Sequence, residues 1–215
     1  MNIIMNISGV YDDECWSISG ATTIDFRNLD GCNCYCSPEA ASAFRSAMAE
    51  LPLRGVHWID TGDYHYLSRL WMEKVNEPFA LVLFDNHPDD QPDAFGTGML
   101  SCGGWVADAV RDLPALKATR LNRTDIPAGL PVYLSIDLDV MPREYARTDW
   151  TQGNMSLESL LSAIGRISAE HRIIGVDICG GLTVAKGATA EDLAVNSGTR
   201  NALAAYFSSH PLLAG

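Results

Sequence analysis

Two short stretches hold acids and imidazoles at a spacing that metal chemistry uses. Asp85-Asn86-His87-Pro88-Asp89-Asp90 sets Asp, His and Asp at alternate positions, and Ser135-Ile136-Asp137-Leu138-Asp139 does the same with two acids. Residues i, i+2 and i+4 share a face in extended chain. Pro88 pushes His87 toward extended geometry. Asp85, His87 and Asp89 are therefore expected to converge on one point, and Asp137 and Asp139 on another. A third stretch, Thr61-Gly62-Asp63-Tyr64-His65, adds an imidazole. Acids are common in turns, but each of these stretches follows an apolar run. Carboxylates and imidazoles gathered at one edge repel or lose solvation unless a cation organises them. Carboxylate oxygens with one or two histidine nitrogens suit manganese, iron or zinc rather than a soft copper site.

The elements that must position these residues alternate along the chain. Strands are expected at residues 2–10, 55–60, 79–85, 131–137 and 172–177, the last three as continuous apolar runs of the kind buried on both faces. Helices are expected from Ser37-Pro38-Glu39 to about Leu51, over 67–75 and 104–113, from Ser156 to about Ala169, and from Thr189 to about Phe207. Ser37 and Ser156 can cap free amides, Pro38 suits a first turn, and Thr189-x-x-Asp192 resembles a capping box with Asp in place of Glu. Strands alternating with helices imply a mainly parallel sheet covered on both faces. In such sheets ligands bind beyond the carboxyl ends of the strands, where Asp63, His65, Asp85, Asp137 and Asp177 stand.

The 215 residues suit a single domain, 1–215, with a substantial core. The longest uninterrupted apolar run, Phe79–Phe84, is far short of the roughly 20 residues needed to span a bilayer. With no basic, apolar leader at the N-terminus, a cytoplasmic protein without membrane association is expected. The net charge of −12 repels phosphate backbones and argues against nucleic acid as a partner, while cationic substrates or metal ions are compatible. Acidity also serves solubility on its own. The six cysteines are expected to be reduced. Cys32, Cys34 and Cys36 alternate as in a strand and lack the CxxC pairs of a zinc knuckle.

The paired motifs carry a resemblance. FDNHPD resembles the DxHxD motif of the arginase–agmatinase (ureohydrolase) family, SIDLD its SxDxD motif, and TGDYH its GGDH segment with Tyr64 inserted. Order and spacing match over residues 55–177. The resemblance implies an arginase-like three-layer fold and a two-manganese centre, with zinc or iron as other ions. It assigns His65, Asp85, Asp89 and Asp137 to one ion, and Asp85, His87, Asp137 and Asp139 to the other, with Asp85 and Asp137 bridging. Two ions sharing a water lower its pKa toward neutrality, so that hydroxide can attack a guanidinium or amide carbon. Asp89 is the expected catalytic residue, orienting that hydroxide. The related zinc deacetylases resemble this family but use one ion held by Asp, His and Asp. The presence of His65, Asp89 and Asp139 as well favours the two-metal branch.

The chain departs from the family's pattern at three places. The glycine-rich segment after DxHxD, residues 96–103, has Ser101 and Cys102 where the family carries a histidine proton shuttle. Gly180 stands where the family has a guanidinium-gripping acid, with Asp177 as a substitute only on a different backbone. SIDLD runs into Val140-Met141-Pro142 rather than a further acid. The metal ligands are therefore complete, while the residues that recognise free arginine are not. The short chain suggests an open site that admits a larger guanidino compound, such as an arginine side chain within a peptide. Ser101, Glu144 and Asp177 are the candidate substrate contacts, Glu144 being otherwise a solvated loop acid. His57 reads as a core histidine, His171 and His210 as helix-end residues, and Cys102 as a packed thiol.

The expectation is thus a binuclear manganese hydrolase of C–N bonds other than peptide bonds, releasing urea from a guanidino group and open to forming a homo-oligomer. The alternatives are a zinc-dependent, deacetylase-like amide hydrolase and a metal-binding protein without catalysis.

Overall fold

A computed structural model describes residues 1–93 and 98–210. The strands are β1 (Asn2–Asn6), β2 (Thr22–Asp25), β3 (Tyr35–Cys36), β4 (Val56–Trp58), β5 (Phe79–Phe84), β6 (Leu100–Ser101), β7 (Leu116–Leu121), β8 (Val132–Asp137) and β9 (Ile173–Cys179). The helices are α1 (Val10–Asp13), α2 (Pro38–Met48), α3 (Leu67–Met72), α4 (Trp105–Asp112), α5 (Leu157–Glu170) and α6 (Ala190–Ser209). Seven strands form one parallel sheet in the order β2-β1-β4-β9-β8-β5-β7, and β3 with β6 forms a small antiparallel pair.

Alternation along the central strands divides the core in two. Leu81 and Leu83 face one side with Phe44 of α2, Trp71 of α3 and Trp105 of α4. Val82 and Phe84 face the other with Tyr11 of α1, Ile164 of α5 and Leu203 of α6. A side chain flips face with every residue of a strand, so each apolar run feeds both layers. This is the three-layer α/β/α fold that the family resemblance implies.

Caps fall where the sequence places them. Ser37 Oγ accepts from the Ala40 amide over 3.1 Å, and Ser156 Oγ from the Ser159 amide over 3.1 Å. Thr189 and Asp192 make the reciprocal capping box. The first strand is shorter than expected. After Asn6, the amides of Ile7 and Ser8 turn to Asp60 Oδ2 (2.7 and 2.9 Å) instead of a neighbouring strand, and Gly9 at φ 85° opens α1. The last strand is longer, reaching Cys179 rather than Asp177. Two edge strands, β2 and β7, have no counterpart in the sequence reading, because edges bury only part of each side chain and so lack a continuous apolar run. The cysteine segment pairs only over Tyr35 and Cys36, with Cys34 at φ 58°, and all six cysteines are free thiols. Among the described residues, no helix is long and apolar enough to cross a membrane.

Candidate metal centre

Sheet register brings the acids together. Phe84 of β5 pairs with Ile136 of β8, and Ile136 with Ile178 of β9. The residues that follow, Asp85, Asp137 and Cys179, therefore end three adjacent strands at one level. His65 reaches the same place from a 3₁₀ turn, Gly62–Tyr64, that leaves β4.

The contacts fall into two overlapping groups. His65 Nδ1 lies 3.1 Å from Asp89 Oδ2, 3.2 Å from Asp85 Oδ2 and 3.5 Å from Asp137 Oδ2. His87 Nδ1 lies 2.9 Å from Asp139 Oδ2 and 3.5 Å from Asp85 Oδ1. The ligand atoms of His65, Asp85 and Asp89 all lie within 4.8 Å of one another, as do those of Asp85, His87 and Asp139. Asp85 thus belongs to both groups. Asp137 does not: its Oδ1 accepts the Asp139 amide over 2.9 Å, and its Oδ2 turns to His65.

The local backbone differs from the extended geometry expected of both motifs. Asp89 sits in the left-handed region at φ 48°, and Leu138–Val140 is a 3₁₀ turn. The acids converge because turns bring Asp89 and Asp139 back over the strand ends, not because the strands continue.

Outer partners hold the ligands in place. His65 Nε2 pairs with Ser135 Oγ (2.8 Å), His87 Nε2 with Thr151 Oγ1 (2.8 Å), and Trp105 Nε1 donates to Asp89 Oδ2 (2.6 Å). Such partners fix ring orientation and leave Nδ1 directed at the acids.

The electrostatics are those of a site short of positive charge. Burial, then the neighbouring Asp85, pushes Asp137 up to about 6. Burial, then Asp137 and Asp85, raises Asp139 well above the carboxylate range. Burial raises Asp89 too. Burial works against ionisation of Asp85 as well, but the neighbouring His65 and His87 imidazoles outweigh it and hold this carboxyl low. Burial disfavours charge on His65, yet Cys179, Asp85 and Asp89 raise its imidazole well above the ordinary value. Asp85 Oδ2 is buried with no hydrogen-bond partner. Buried polar atoms are seldom left so, and an unpartnered carboxylate oxygen among three more acids fits a divalent cation.

A cavity of about 240 Å³ opens over this cluster. Cys34, Tyr35, Ser101, Cys102 and Gly103, from the β3–β6 pair and its flanks, line it together with Gly62 and Trp150. Among the described residues, its lining holds no lysine or arginine. Gly96 and Thr97 of the glycine-rich segment lie outside the described residues, while Ser101 is on the wall. Burial pushes the Cys102 thiol up to about 12, so it is no nucleophile at neutral pH.

Two expected substrate contacts are elsewhere. Glu144 is exposed and does not line the cavity, because the turn at Pro142, which accepts the amides of Tyr145 and Ala146, carries it outward. Asp177 is fully buried. Its Oδ1 takes His57 Nδ1 and the Tyr133 hydroxyl, each at 2.7 Å, and His57 stacks on Trp71 at 3.7 Å. At Gly180, φ is 103° and a Cβ would lie 2.8 Å from Asp137 Oδ1, so no side chain fits there. Ser135, Trp105, Trp150 and Cys179 were not singled out from sequence. Ser135 lies inside the SxDxD motif and Cys179 just past an apolar run, but the two tryptophans carry no local signal.

No protein-family model matches the chain. An uncharacterised protein from Thermotoga maritima is 30% identical over 197 residues, covering 82% of this chain and 78% of its own length, which places the two in one family. Three solved structures are similar to the whole fold. A hypothetical agmatinase from Burkholderia thailandensis has a TM-score of 0.64 at 14% identity, over 97% of this chain and 86% of its own. Proclavaminate amidino hydrolase from Streptomyces clavuligerus has 0.64 at 16%, over 97% and 92%. Formimidoylglutamase from Bacillus subtilis has 0.63 at 11%, over 98% and 87%. The chain has the fold of these agmatinase- and amidinohydrolase-type structures. In this member of that fold, the strand ends carry the acid–imidazole cluster, and the residue after β9's last is a glycine with no room for an acid.

Proposed function

We propose that the protein is a hydrolase of C–N bonds other than peptide bonds, working with two divalent ions, manganese in the first instance, on a guanidino group. The observation that carries this reading is the buried cluster of four carboxylates around His65 and His87, with Asp85 common to both groups. Its oxygen and nitrogen donors suit manganese, iron or zinc. His65, Asp85, Asp89 and Asp137 would hold one ion, and Asp85, His87 and Asp139 the other. Ions bound there supply Lewis acidity and bring the pKa of water toward neutrality. An imidazole of its own in each group supports two ions over one.

The chain's residues do the rest. Ser135 and Thr151 fix the two imidazoles through Nε2, and Trp105 holds Asp89, the acid nearest to being a base beside the reacting centre. The acidic lining attracts a cation. The Trp150 indole at the rim, 39% exposed and 6.0 Å from His87, offers a ring face on which a planar guanidinium can stack. The names of the structural neighbours, agmatinase and amidino hydrolase, support the same class of bond. Without an acid at position 180, the favoured substrate is a larger guanidino compound, such as an arginine side chain in a peptide, converted to ornithine and urea.

The test is elemental analysis of the purified protein together with a urea-release screen over arginine, agmatine, guanidino acids and arginine-containing peptides. Two ions per chain and urea from at least one substrate are expected. A protein that takes up no divalent ion after reconstitution overturns the reading.

A further inference from the structure

A third acid–imidazole group contains a sulfur. The ligand atoms of His65, Asp137 and Cys179 lie within 4.8 Å of one another, and all three residues are buried. Cys179 Sγ lies 3.0 Å from Asp137 Oδ2, which in turn lies 3.5 Å from His65 Nδ1. Bonds of about 2.0–2.3 Å at a tetrahedral centre set ligand atoms roughly 3.3–3.8 Å apart, so the 3.5 Å separation is that of ligands around one ion, and the 3.0 Å separation, a hydrogen bond, is a few tenths of an ångström shorter. The placement is imposed by the sheet. Cys179 is the register partner of Asp137 across the β8–β9 ladder, so the sheet holds the two residues side by side.

A buried cysteine can be a small apolar filler. Here the sulfur is instead directed at a carboxylate, on the side of the cluster where Asp85 Oδ2 is buried without a hydrogen-bond partner. The other group, Asp85, His87 and Asp139, offers only oxygen and nitrogen. The two positions therefore differ in softness. Thiolate selects zinc and similar thiophilic ions, while carboxylate-rich positions suit manganese.

We propose that Cys179 supplies a thiolate ligand to the ion held by His65 and Asp137, and that this position takes zinc ahead of manganese. The proposal rests on the reading of the cluster as a metal centre. On binding, the thiol proton that bridges to Asp137 leaves for solvent and the sulfur lone pair goes to the ion.

Cobalt(II) titrated into the metal-free full chain tests it. The expected result is a near-ultraviolet thiolate-to-cobalt charge-transfer band, saturating at one equivalent, that is lost in Cys179→Ser and kept in Cys102→Ser and Cys34→Ser. Zinc affinity of Cys179→Ser should fall at least the roughly 10–100-fold that losing a supporting partner costs, with manganese affinity little changed. Circular dichroism confirms that the variant is folded; if it is not, the wild-type spectrum and its survival in the two control variants still decide the question. Cobalt binding without the band overturns the thiolate ligand and leaves the metal centre standing. Failure to bind cobalt, zinc or manganese overturns both.

Discussion

The Trp105 indole donates a 2.6 Å hydrogen bond to Asp89 Oδ2, the same oxygen that lies 3.1 Å from His65 Nδ1. Trp105 opens α4 and is fully buried, so a helix start holds a carboxylate at the centre of the site. Trp105→Phe keeps most of the ring packing and removes the donor. A hydrogen bond to a charged group contributes about 1.5–3 kcal/mol, and affinity for a divalent ion should fall roughly 10–100-fold. Calorimetric titration with manganese checks this; unchanged affinity would show that Asp89 does not need the indole.

Asp85 faces His65 with Oδ2 and His87 with Oδ1. Asp85→Asn should therefore abolish tight binding at both positions. Asp139→Asn should affect only the His87 position, and Asp137→Asn chiefly the His65 position. Ion stoichiometry after dialysis separates the three, and two retained ions in Asp85→Asn would refute the shared role.

Stability of the metal-free protein should fall as pH rises through mild acidity. Asp137 is raised by burial and by Asp85 to about 6, against an unfolded value of about 3.9. The folded state thus binds more protons than the unfolded state between these values. The stability this contributes is fully present below about pH 4 and is lost as pH rises through about 6. The raised Asp139 acts in the same direction from about pH 4 upward, and the raised His65 from about 6.5 upward. Asp85 is lowered and acts oppositely, but below the ordinary carboxylate range. Saturating divalent ion should reverse the slope, since it binds the ionised carboxylates. Melting curves from pH 4 to 8, with chelator and with manganese, measure both slopes.

Gly180 cannot be replaced without loss. Its φ of 103° and the 2.8 Å approach of a Cβ to Asp137 Oδ1 leave no room. The backbone penalty alone is about 1–3 kcal/mol for a non-glycine residue. Its carbonyl is also held by the buried Arg200, paired with Glu14 at 2.6 Å. Gly180→Ala should lower the melting temperature, and Gly180→Glu should fail to create arginine hydrolysis. A Gly180→Glu variant of wild-type stability would mean that the loop after β9 adapts.

Free arginine should be a poor substrate even with both ions bound. An absent charged partner costs roughly 10–150-fold, and an absent proton-transfer residue a further ~10²–10⁴. Urea release from free arginine and from arginine-containing peptides, compared on fully metallated protein, measures the gap. Arginine turnover at ordinary enzyme rates would place the recognition groups elsewhere than the motif resemblance does.

Local pattern was enough to locate the central strands, the helix caps and the acids and imidazoles beyond the strands. Buried parallel strands read as continuous apolar runs, and Asp85, His87, Asp137 and Asp139 directly follow or end two of them. His65 was legible from its motif. Tertiary structure decided which residues meet. Cys179 faces Asp137 only because the β8–β9 register pairs them, and register is a long-range property that local pattern does not carry. Asp177, two residues earlier on the same strand, is taken by His57 and Tyr133 from neighbouring strands and never reaches the cavity. Glu144 follows the site in sequence yet lies outside it, because one turn at Pro142 sets its direction. The left-handed Asp89 and the indole of Trp105 belong to the same class of fact: which way a side chain points at a strand end is set by turns and by packing from a different layer.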